Sequence, residues 1–173
     1  HPVDLLLNTN GGQTDATEAL VSLLQASTKD LRVVVPHSAK SNGTMICLAA
    51  KEIIMGPPSE LGPIDPYLGS TPTSILAEET VKQENFPLHK LAIYAIEQTK
   101  QLARRLLSEG MMSAATPEEV EDTVGKLASR DHFFSHGSAI DHVEAHKLGL
   151  KVNYLKVGDP YWDRIWLLYN MYA

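Results

Sequence analysis

The chain has 173 residues, with 15 Lys and Arg against 21 Asp and Glu, and 43% of its residues are hydrophobic. This composition is typical of a globular protein and excludes disordered, collagen-like and disulfide-stapled chains, because the one cysteine, Cys47, cannot form an internal disulfide. The net charge of -6 predicts no basic surface for binding nucleic acid or anionic lipid. No apolar run approaches the roughly 20 residues that span a bilayer.

The first 35 residues predict a strand, a helix and a second strand. Residues 3–7 are a short apolar run that stops at a turn cluster, residues 8–12. Thr14 or Asp15 can cap the helix that follows. Apolar residues then recur at helical spacing at Ala16, Leu20, Leu23 and Leu24. Residues 31–35 are apolar and β-branched, so this order predicts parallel strands joined by a right-handed crossover.

The alternation of strand and helix continues along the chain. Residues 44–50 are small and apolar, which predicts a buried helix, and residues 52–55 predict a third buried strand. Residues 61–66, Leu-Gly-Pro-Ile-Asp-Pro, are too rich in Gly and Pro for a helix and predict a short edge strand or a loop. Alternating elements of this kind predict an α/β fold with a mostly parallel sheet and flanking helices.

Helices dominate the predicted second half. A long helix is predicted over residues 88–109, and a stripe at steps of four and three residues follows it: Leu88, Ala92, Ala95, Thr99, Leu102 and Leu106. This stripe fits both a core-facing side and a contact with a second subunit. Residues 116–119, Thr-Pro-Glu-Glu, predict a helix start, and Gly149 ends a last short helix over residues 142–148. The aromatic tail from Tyr161 is expected to dock on the body or on a partner.

Two segments that follow strands carry candidate chemistry. Asn10-Gly11-Gly12 comes after the first strand, at the sheet edge where open α/β folds place their sites, and a Gly pair leaves backbone N–H groups exposed. Ser41 follows the second strand and opens an apolar helix, whose N-terminus stabilises developing negative charge. Taken alone, Ser41 fits a helix N-cap better than a nucleophile, and Asn-Gly-Gly is also an ordinary turn.

In this order, the segments resemble the serine dehydrogenase proteinase family, within the superfamily of the Clp protease proteolytic subunit, the signal peptide peptidases and the crotonases. The resemblance rests on the Gly-Gly turn, on Ser41-Asn42-Gly43-Thr44, on residues 52–57 and, most specifically, on residues 61–66. Residues 130–134 and 144–150 resemble the closing strand–helix–strand of the superfamily. The family usually reads Ser-Ala-Gly-Thr, so Asn42 departs from its pattern. The resemblance covers most of residues 3–152 and implies a Clp/crotonase-like fold of repeated β-α-β units.

The resemblance also implies a function, a serine endopeptidase that forms an acyl-enzyme and uses no cofactor or metal. Ser41 would be the nucleophile, and the backbone N–H groups of Gly12 and Asn42 would form the oxyanion hole. The Clp subunit has its catalytic His where this chain has Ile64-Asp65, so that base is missing. Asp131 matches the Clp carboxylate but has no such His to orient.

A lysine is the base that the resemblance favours, because the signal peptide peptidases use a Ser–Lys dyad. Lys82 lies 41 positions after Ser41 and Lys90 lies 49 positions after it, and both distances fit. Burial disfavours the charged ammonium, so a buried Lys can accept a proton. Lys82 is preferred since it lies in the less regular stretch before the long helix, although a solvated surface cation is the alternative for either residue.

Two other functions stay open: a catalytically decayed scaffold or binding domain of the same fold, and a crotonase-like acyl-CoA enzyme with Asp65 as acidic base. The crowded histidines, His132, His136, His142 and His146, lack a complete ligand set, so no metal is predicted. His37 and His89 match no base of the family. Cys47 is expected in the core.

The expected partners are a peptide or protein substrate and further copies of the chain, with no nucleic acid. Because the chain begins at His1 rather than Met, we expect residues 1–173 to be a single Clp/crotonase-like peptidase domain from a longer protein. A missing N-terminal segment could supply a membrane anchor, so cytoplasmic and membrane-anchored locations both stay open.

Overall fold

A computed structural model describes residues 1–172. In chain order the elements are β1 (Val3–Leu6), α1 (Thr14–Ser27), β2 (Leu31–Val35), β3 (Ser38–Ala39), α2 (Asn42–Leu48), β4 (Glu52–Met55), β5 (Glu60–Leu61), β6 (Tyr67–Leu68), β7 (Thr71–Pro72), α3 (Thr73–Leu76), α4 (Glu79–Glu84), α5 (Phe86–Glu109), α6 (Pro117–Leu127), α7 (Arg130–Phe133), α8 (His142–Lys147), β8 (Val152–Tyr154) and α9 (Pro160–Tyr172). Among these helices, none combines the length and the apolar character needed to cross a membrane.

The central sheet has four strands in the order β1-β2-β4-β8, and every neighbouring pair is parallel. Helices cover both faces of the middle strands, so Val33 to Val35 of β2 and Ile53 to Met55 of β4 are all buried. Strands buried on both faces are continuous apolar runs in sequence, which is why β2 and β4 could be predicted. The α/β fold with a mostly parallel sheet and flanking helices is confirmed.

A small second sheet positions the candidate site. Its strands β3 and β5 pair in parallel, and isolated bridges join Thr9 to Ala39 and Leu61 to Ile140. Thr9 follows β1, β3 follows β2, and β5 follows β4. The chain therefore brings the segments beyond the carboxyl ends of three central strands together at one edge of the fold.

The long helix α5 packs its predicted stripe into the core. Ala92, Thr99, Leu102 and Leu106 are buried, whereas Leu91 and Tyr94, which lie off the stripe, are exposed. The interpretation of the stripe as a core-facing side is confirmed. The next helix, α6, begins as predicted with Pro at its first position and a capping box between Thr116 and Glu119.

The aromatic tail docks on the body. Helix α9 inserts Trp162 and Ile165 against Val34 and Ile54, on the face of the sheet opposite the main core. Gly56 lies directly beneath the indole of Trp162, where a Cβ would collide with the ring. The glycine after β4 thus serves close packing of α9.

Three local predictions were wrong. In α1 the buried positions are Thr17 and Val21, while Leu20 and Leu23 are 40% and 64% exposed and Leu24 is only partly buried against the core, so the predicted leucine stripe is not the buried side. Its N-cap is Gln13, without a side-chain cap. The segment Arg130–Phe133, expected as part of a closing strand, is the short helix α7, because Ser129 accepts a hydrogen bond from the Asp131 N–H and starts a helical turn.

Candidate active site

Ser41 lies at a tight elbow between β3 and α2. Its backbone has φ 54° and ψ -119°, a conformation that favours glycine and costs a residue with a Cβ about 1–3 kcal/mol. Its side chain makes no N-cap hydrogen bond to α2, and its hydroxyl is bonded to no group of residues 1–172. The Ser41 hydroxyl is therefore not used for helix capping and is free to contact a ligand or substrate.

The diglycine turn packs directly against this elbow. Gly11 has φ +109°, and a Cβ on it would lie 2.9 Å from the Ser41 Cβ and 3.0 Å from the Lys40 carbonyl oxygen. The N–H of Gly11 donates to the hydroxyl of Thr9 at 3.1 Å. Gly11 therefore sets the close approach of the two segments, whereas a Cβ on Gly12 would meet nothing within 4 Å.

Thr44 stabilises the elbow through buried hydrogen bonds. Its fully buried hydroxyl lies 2.7 Å from the carbonyl oxygens of Ala39 and Gly62, to either of which it donates, and it accepts the Gly62 N–H at 3.0 Å. Gly43 lies under Thr9, where a Cβ would stand 2.6 Å from the Thr9 methyl carbon. The Gly-Thr part of the motif is thus explained by packing and by buried hydrogen bonds.

Replacement of Thr44 by valine tests this role. The change keeps the shape but leaves the Gly62 N–H and a buried carbonyl without their partner, so we expect the free energy of unfolding to fall by about 1–3 kcal/mol. Urea denaturation measures the change. Thr80→Val is the control, because Thr80 is exposed on α4 and should change stability by less than about 0.5 kcal/mol. A Thr44→Val protein as stable as the control would contradict this account.

Two backbone N–H groups beside Ser41 have no acceptor among the described residues. They belong to Asn42, the first residue of α2, and to Gly12 in the turn. The Asn42 side-chain amide donates to the Gly12 carbonyl at 2.6 Å and so ties the two segments together. The Asn42 side chain, which departs from the family pattern, thereby links the two segments that carry the predicted oxyanion-hole donors.

Ser41, Gly12 and Asn42 line one cavity of about 600 Å³. Its other walls include Ile64 from the Gly- and Pro-rich segment, Tyr67 from β6 and His136 from the loop after α7. The predicted nucleophile and both predicted oxyanion residues are thus brought to one cleft, and their roles stay predictions.

The predicted base is not brought to this cleft. Lys82 lies on α4 with its side chain 45% exposed, and its ammonium pairs with Glu79 at 3.0 Å. Lys90 is exposed and lies over the Phe86 ring, 5.8 Å from its centroid. Asp131 is exposed on α7. None of these residues lines the cavity that holds Ser41.

Lys40, next to Ser41, was missed by the sequence analysis. Its side chain is 15% exposed, and its ammonium contacts the Glu60 carboxylate at 2.9 Å and the carbonyl oxygens of Leu61 and Ser138 at 3.2 Å each. These three acceptors match its three N–H donors. Lys40 therefore links three segments of the chain through its side chain. No feature of the sequence distinguishes this lysine from one that is exposed on the surface.

His136 and Asp65 form a second unpredicted pair. The His136 Nδ1 lies 2.7 Å from Asp65 Oδ1, and Asp65 is 3% exposed. The other carboxylate oxygen, Oδ2, is buried without a hydrogen bond and lies 3.5 Å from the guanidinium of Arg130. Within residues 1–172, no group of three or more His, Cys, Asp or Glu side chains is arranged to hold a metal ion.

Cys47 lies in the core behind the elbow, as expected. It is fully buried in α2, and burial raises the pKa of its thiol well above the usual range because the thiolate would be desolvated. We expect the native protein to react with a thiol reagent such as DTNB at a rate limited by unfolding, and the denatured protein to react at once with one thiol per chain. Rapid reaction of native Cys47 would contradict this placement.

Comparisons with known proteins identify the family. The model of the ClpP-like SDH-type serine proteinases matches residues 1–170. Two uncharacterized proteins of Methanocaldococcus jannaschii are similar in sequence: one is 32% identical over 159 residues, 88% of this chain and 54% of its own length, and the other is 30% identical over 158 residues, 88% of this chain and 52% of its own length. The chain spans about half the length of these relatives.

Among solved structures, one similar chain is a mutant of the 1510-N membrane-bound stomatin-specific protease in complex with a substrate peptide. Its TM-score is 0.40 and its sequence identity 21%, with 96% of this chain and 83% of that chain covered.

Proposed function

We propose that this chain, which belongs to the family of ClpP-like SDH-type serine proteinases, is a serine peptidase with Ser41 as its nucleophile. One observation carries the proposal. Ser41 is held at a strained elbow beside a cavity, and the N–H groups of Gly12 and Asn42 next to it have no acceptor within residues 1–172. Strain of this kind is kept where the surrounding structure enforces it, and it concentrates at functional sites.

The proposed chemistry is acyl transfer. The Ser41 oxygen attacks the carbonyl carbon of a peptide bond as a base takes the hydroxyl proton, and the carbonyl π electrons move onto the oxygen. The N–H groups of Gly12 and Asn42 donate to this oxyanion, an interaction worth about 3–4 kcal/mol for each donor. Collapse of the intermediate breaks the C–N bond, and the amine leaves with the proton. Water then hydrolyses the Ser41 ester by the same steps.

In its Ser–Lys form, the mechanism assigns the proton transfer to Lys82. This residue would first have to leave its ion pair with Glu79 and lose water, since it lies exposed on α4. A shift of α4 toward the cavity on substrate binding is the rearrangement that this form requires. The Ser41–Lys82 dyad therefore stays a prediction.

Hydrolysis of an unstructured protein tests the peptidase proposal. We expect β-casein incubated with the protein to release peptides, and Ser41→Ala to release none above the background without enzyme. Ser38→Ala is a matched control, because Ser38 lies in β3 outside the cavity. Peptide release at the same rate from Ser41→Ala would contradict the proposal. No release from either protein would favour the decayed scaffold.

The crotonase-like alternative has weaker support. It assigns the role of acidic base to Asp65, but this carboxylate does not line the Ser41 cavity and is engaged by His136 and Arg130. Tight binding of an acyl-CoA in calorimetry would nevertheless favour it over peptide hydrolysis.

We further propose that residues 1–173 form a single peptidase domain and that it assembles into a homo-oligomer. Exposed apolar side chains on the outer side of α9 support assembly, among them Leu167, Met171 and Tyr172 at 64%, 72% and 84% exposure. Isolated apolar residues on a surface are ordinary, but a cluster of them marks an interaction site. Light scattering coupled to size exclusion is expected to give a mass above the 19.0 kDa of one chain, and a monomer at all concentrations would contradict this expectation.

A further inference from the structure

We infer that Asp15 selects substrates that carry a lysine or arginine side chain close to the peptide bond that is cleaved. This inference rests on the proposed peptidase function and adds the chemical class of its substrates. It starts from one observation. The Asp15 carboxylate lies on the wall of the cavity that holds Ser41, and no Lys or Arg side chain of residues 1–172 lines that cavity.

A hydrogen bond from another helix positions the carboxylate of Asp15. Asp15 lies in the first turn of α1, directly after the diglycine turn and its two following residues. The side chain of Gln98 on α5 donates from Nε2 to Asp15 Oδ1 at 3.0 Å. Thr99, the next residue of α5, is buried and also lines the cavity. The carboxylate is therefore held where α1 and α5 meet at the cavity wall.

The second carboxylate oxygen of Asp15 is available to a substrate. Asp15 is exposed, and its Oδ2 atom has no hydrogen-bond or ion-pair partner among the described residues. A capping role would engage the carboxylate with backbone N–H groups at the start of α1, but within residues 1–172 its one hydrogen bond comes from Gln98. Lys and Arg side chains form the strongest hydrogen bonds to a carboxylate, because both groups are charged.

Contacts between α1 and the elbow bring Asp15 close to Ser41. The side-chain amide of Asn42, the residue after Ser41, donates to the Gly12 carbonyl at 2.6 Å and lies 3.4 Å from the Thr14 hydroxyl. Thr14 precedes Asp15, and both line the cavity. An extended peptide advances about 3.3–3.6 Å per residue, so we expect the carboxylate to meet a side chain within about three residues of the cleaved bond.

The rest of the cavity wall does not offset this negative charge. Most of its other polar side chains are neutral, among them Asn10, Gln13, Thr14 and Thr99. His136 carries a charge only when it is protonated. Two cations neighbour residues of the wall without lining the cavity, but Lys40 pairs with Glu60, and Arg130 donates to the Tyr67 hydroxyl. A cleft with one fixed negative charge attracts a cationic side chain and disfavours an anionic one.

Mapping of cleavage sites tests the inference without a known substrate. β-Casein is incubated with the protein, and mass spectrometry identifies the bonds that are cleaved. We expect Lys or Arg within three residues of the cleaved bonds more often than in the uncleaved parts of β-casein. Asp15→Asn keeps the acceptor for Gln98 but removes the charge, so this preference should vanish. Asp15→Lys should instead favour bonds beside Asp and Glu.

Two matched peptides measure the size of the effect. One spans the site that is cleaved fastest and keeps its Lys or Arg, and the other has Gln at that position. For the wild type we expect kcat/KM to be at least about 10-fold higher for the charged peptide, and for Asp15→Asn we expect equal values. The ratio should fall as salt is added, because ions screen the attraction.

Glu18→Gln is the matched control. It removes one negative charge from the same helix, outside the cavity, and should keep the wild-type ratio of the two peptides. A structural role of Asp15 would lower kcat/KM for both peptides and leave their ratio unchanged in Asp15→Asn. That result, or cleavage by the wild type without a preference for Lys or Arg, overturns the inference but leaves the peptidase proposal standing. A wild type that cleaves no bond overturns both.

Discussion

Replacement of Ser41 by glycine is expected to abolish activity and yet to make the protein more stable. Glycine adopts φ 54° and ψ -119° without the cost of a Cβ, so we expect the free energy of unfolding to rise by about 1–2 kcal/mol. In a chain of this size that rise corresponds to roughly 2–8 °C in Tm. The hydroxyl forms no hydrogen bond within residues 1–172 that the change would break. If Ser41 is the nucleophile, as we propose, activity should fall on the order of 10⁶-fold.

Ser41→Ala separates the two effects. Alanine keeps the Cβ and therefore the strain, so its Tm should match that of the wild type, while its activity should be lost as in the glycine variant. Differential scanning calorimetry of the three proteins measures the difference. A Ser41→Gly protein that is less stable than Ser41→Ala would show that the elbow is not strained in the way the backbone angles indicate.

Replacement of Gly11 by alanine is expected to damage both the fold and the site. The new Cβ would stand 2.9 Å from the Ser41 Cβ and 3.0 Å from the Lys40 carbonyl oxygen, and neither is the flexible end of a side chain. The positive φ of 109° adds backbone strain. We expect the free energy of unfolding to fall by about 2–4 kcal/mol. Labelling by a fluorophosphonate, a probe that reacts with activated serines, should slow at least about 100-fold, since a displacement of about 1 Å at the proposed nucleophile costs that much.

The adjacent glycine is the matched control. A Cβ on Gly12 would meet nothing within 4 Å, and its φ is not in the positive range, so Gly12→Ala should cost less than about 1 kcal/mol. Its N–H donor is kept, and labelling should stay within about 10-fold of the wild type. Equal losses in the two variants would contradict the distinct roles that we assign to Gly11 and Gly12.

The central sheet could be predicted from local sequence patterns because the burial of its strands is visible in short stretches of sequence. Strands β2 and β4 are buried on both faces and therefore appear as apolar runs, and the alternation of strands with helices sets the parallel order. The start of α6 was equally predictable, since Thr116 and Glu119 cap a helix within four residues.

Helix α1 shows where local patterns fail. Leucines at helical spacing suggested one face, but Thr17 and Val21 are the buried residues, because the packing of α2 against α1 decides which side is covered. Burial of a side is a tertiary property, and residues as apolar as Leu20 and Leu23 can remain exposed.

In the candidate site, too, the residues within short motifs could be predicted, whereas those that depend on tertiary contacts could not. Ser41, Gly12 and Asn42 were found because they lie within short motifs that follow strands, and the structure brings all three to one cavity. The pair of Asp65 and His136 spans 71 residues, and its formation depends on how the loop after α7 folds back over β5. No spacing rule predicts a contact of that kind.

Whether Ser41 is an activated nucleophile is best measured by mapping the fluorophosphonate adduct by mass spectrometry after proteolytic digestion. We expect one adduct per chain, on the peptide that contains Ser41, and none after the protein has been unfolded in urea before the probe is added. Absence of any adduct on the native protein, or adducts spread over other serines with Ser41 unmodified, would contradict it.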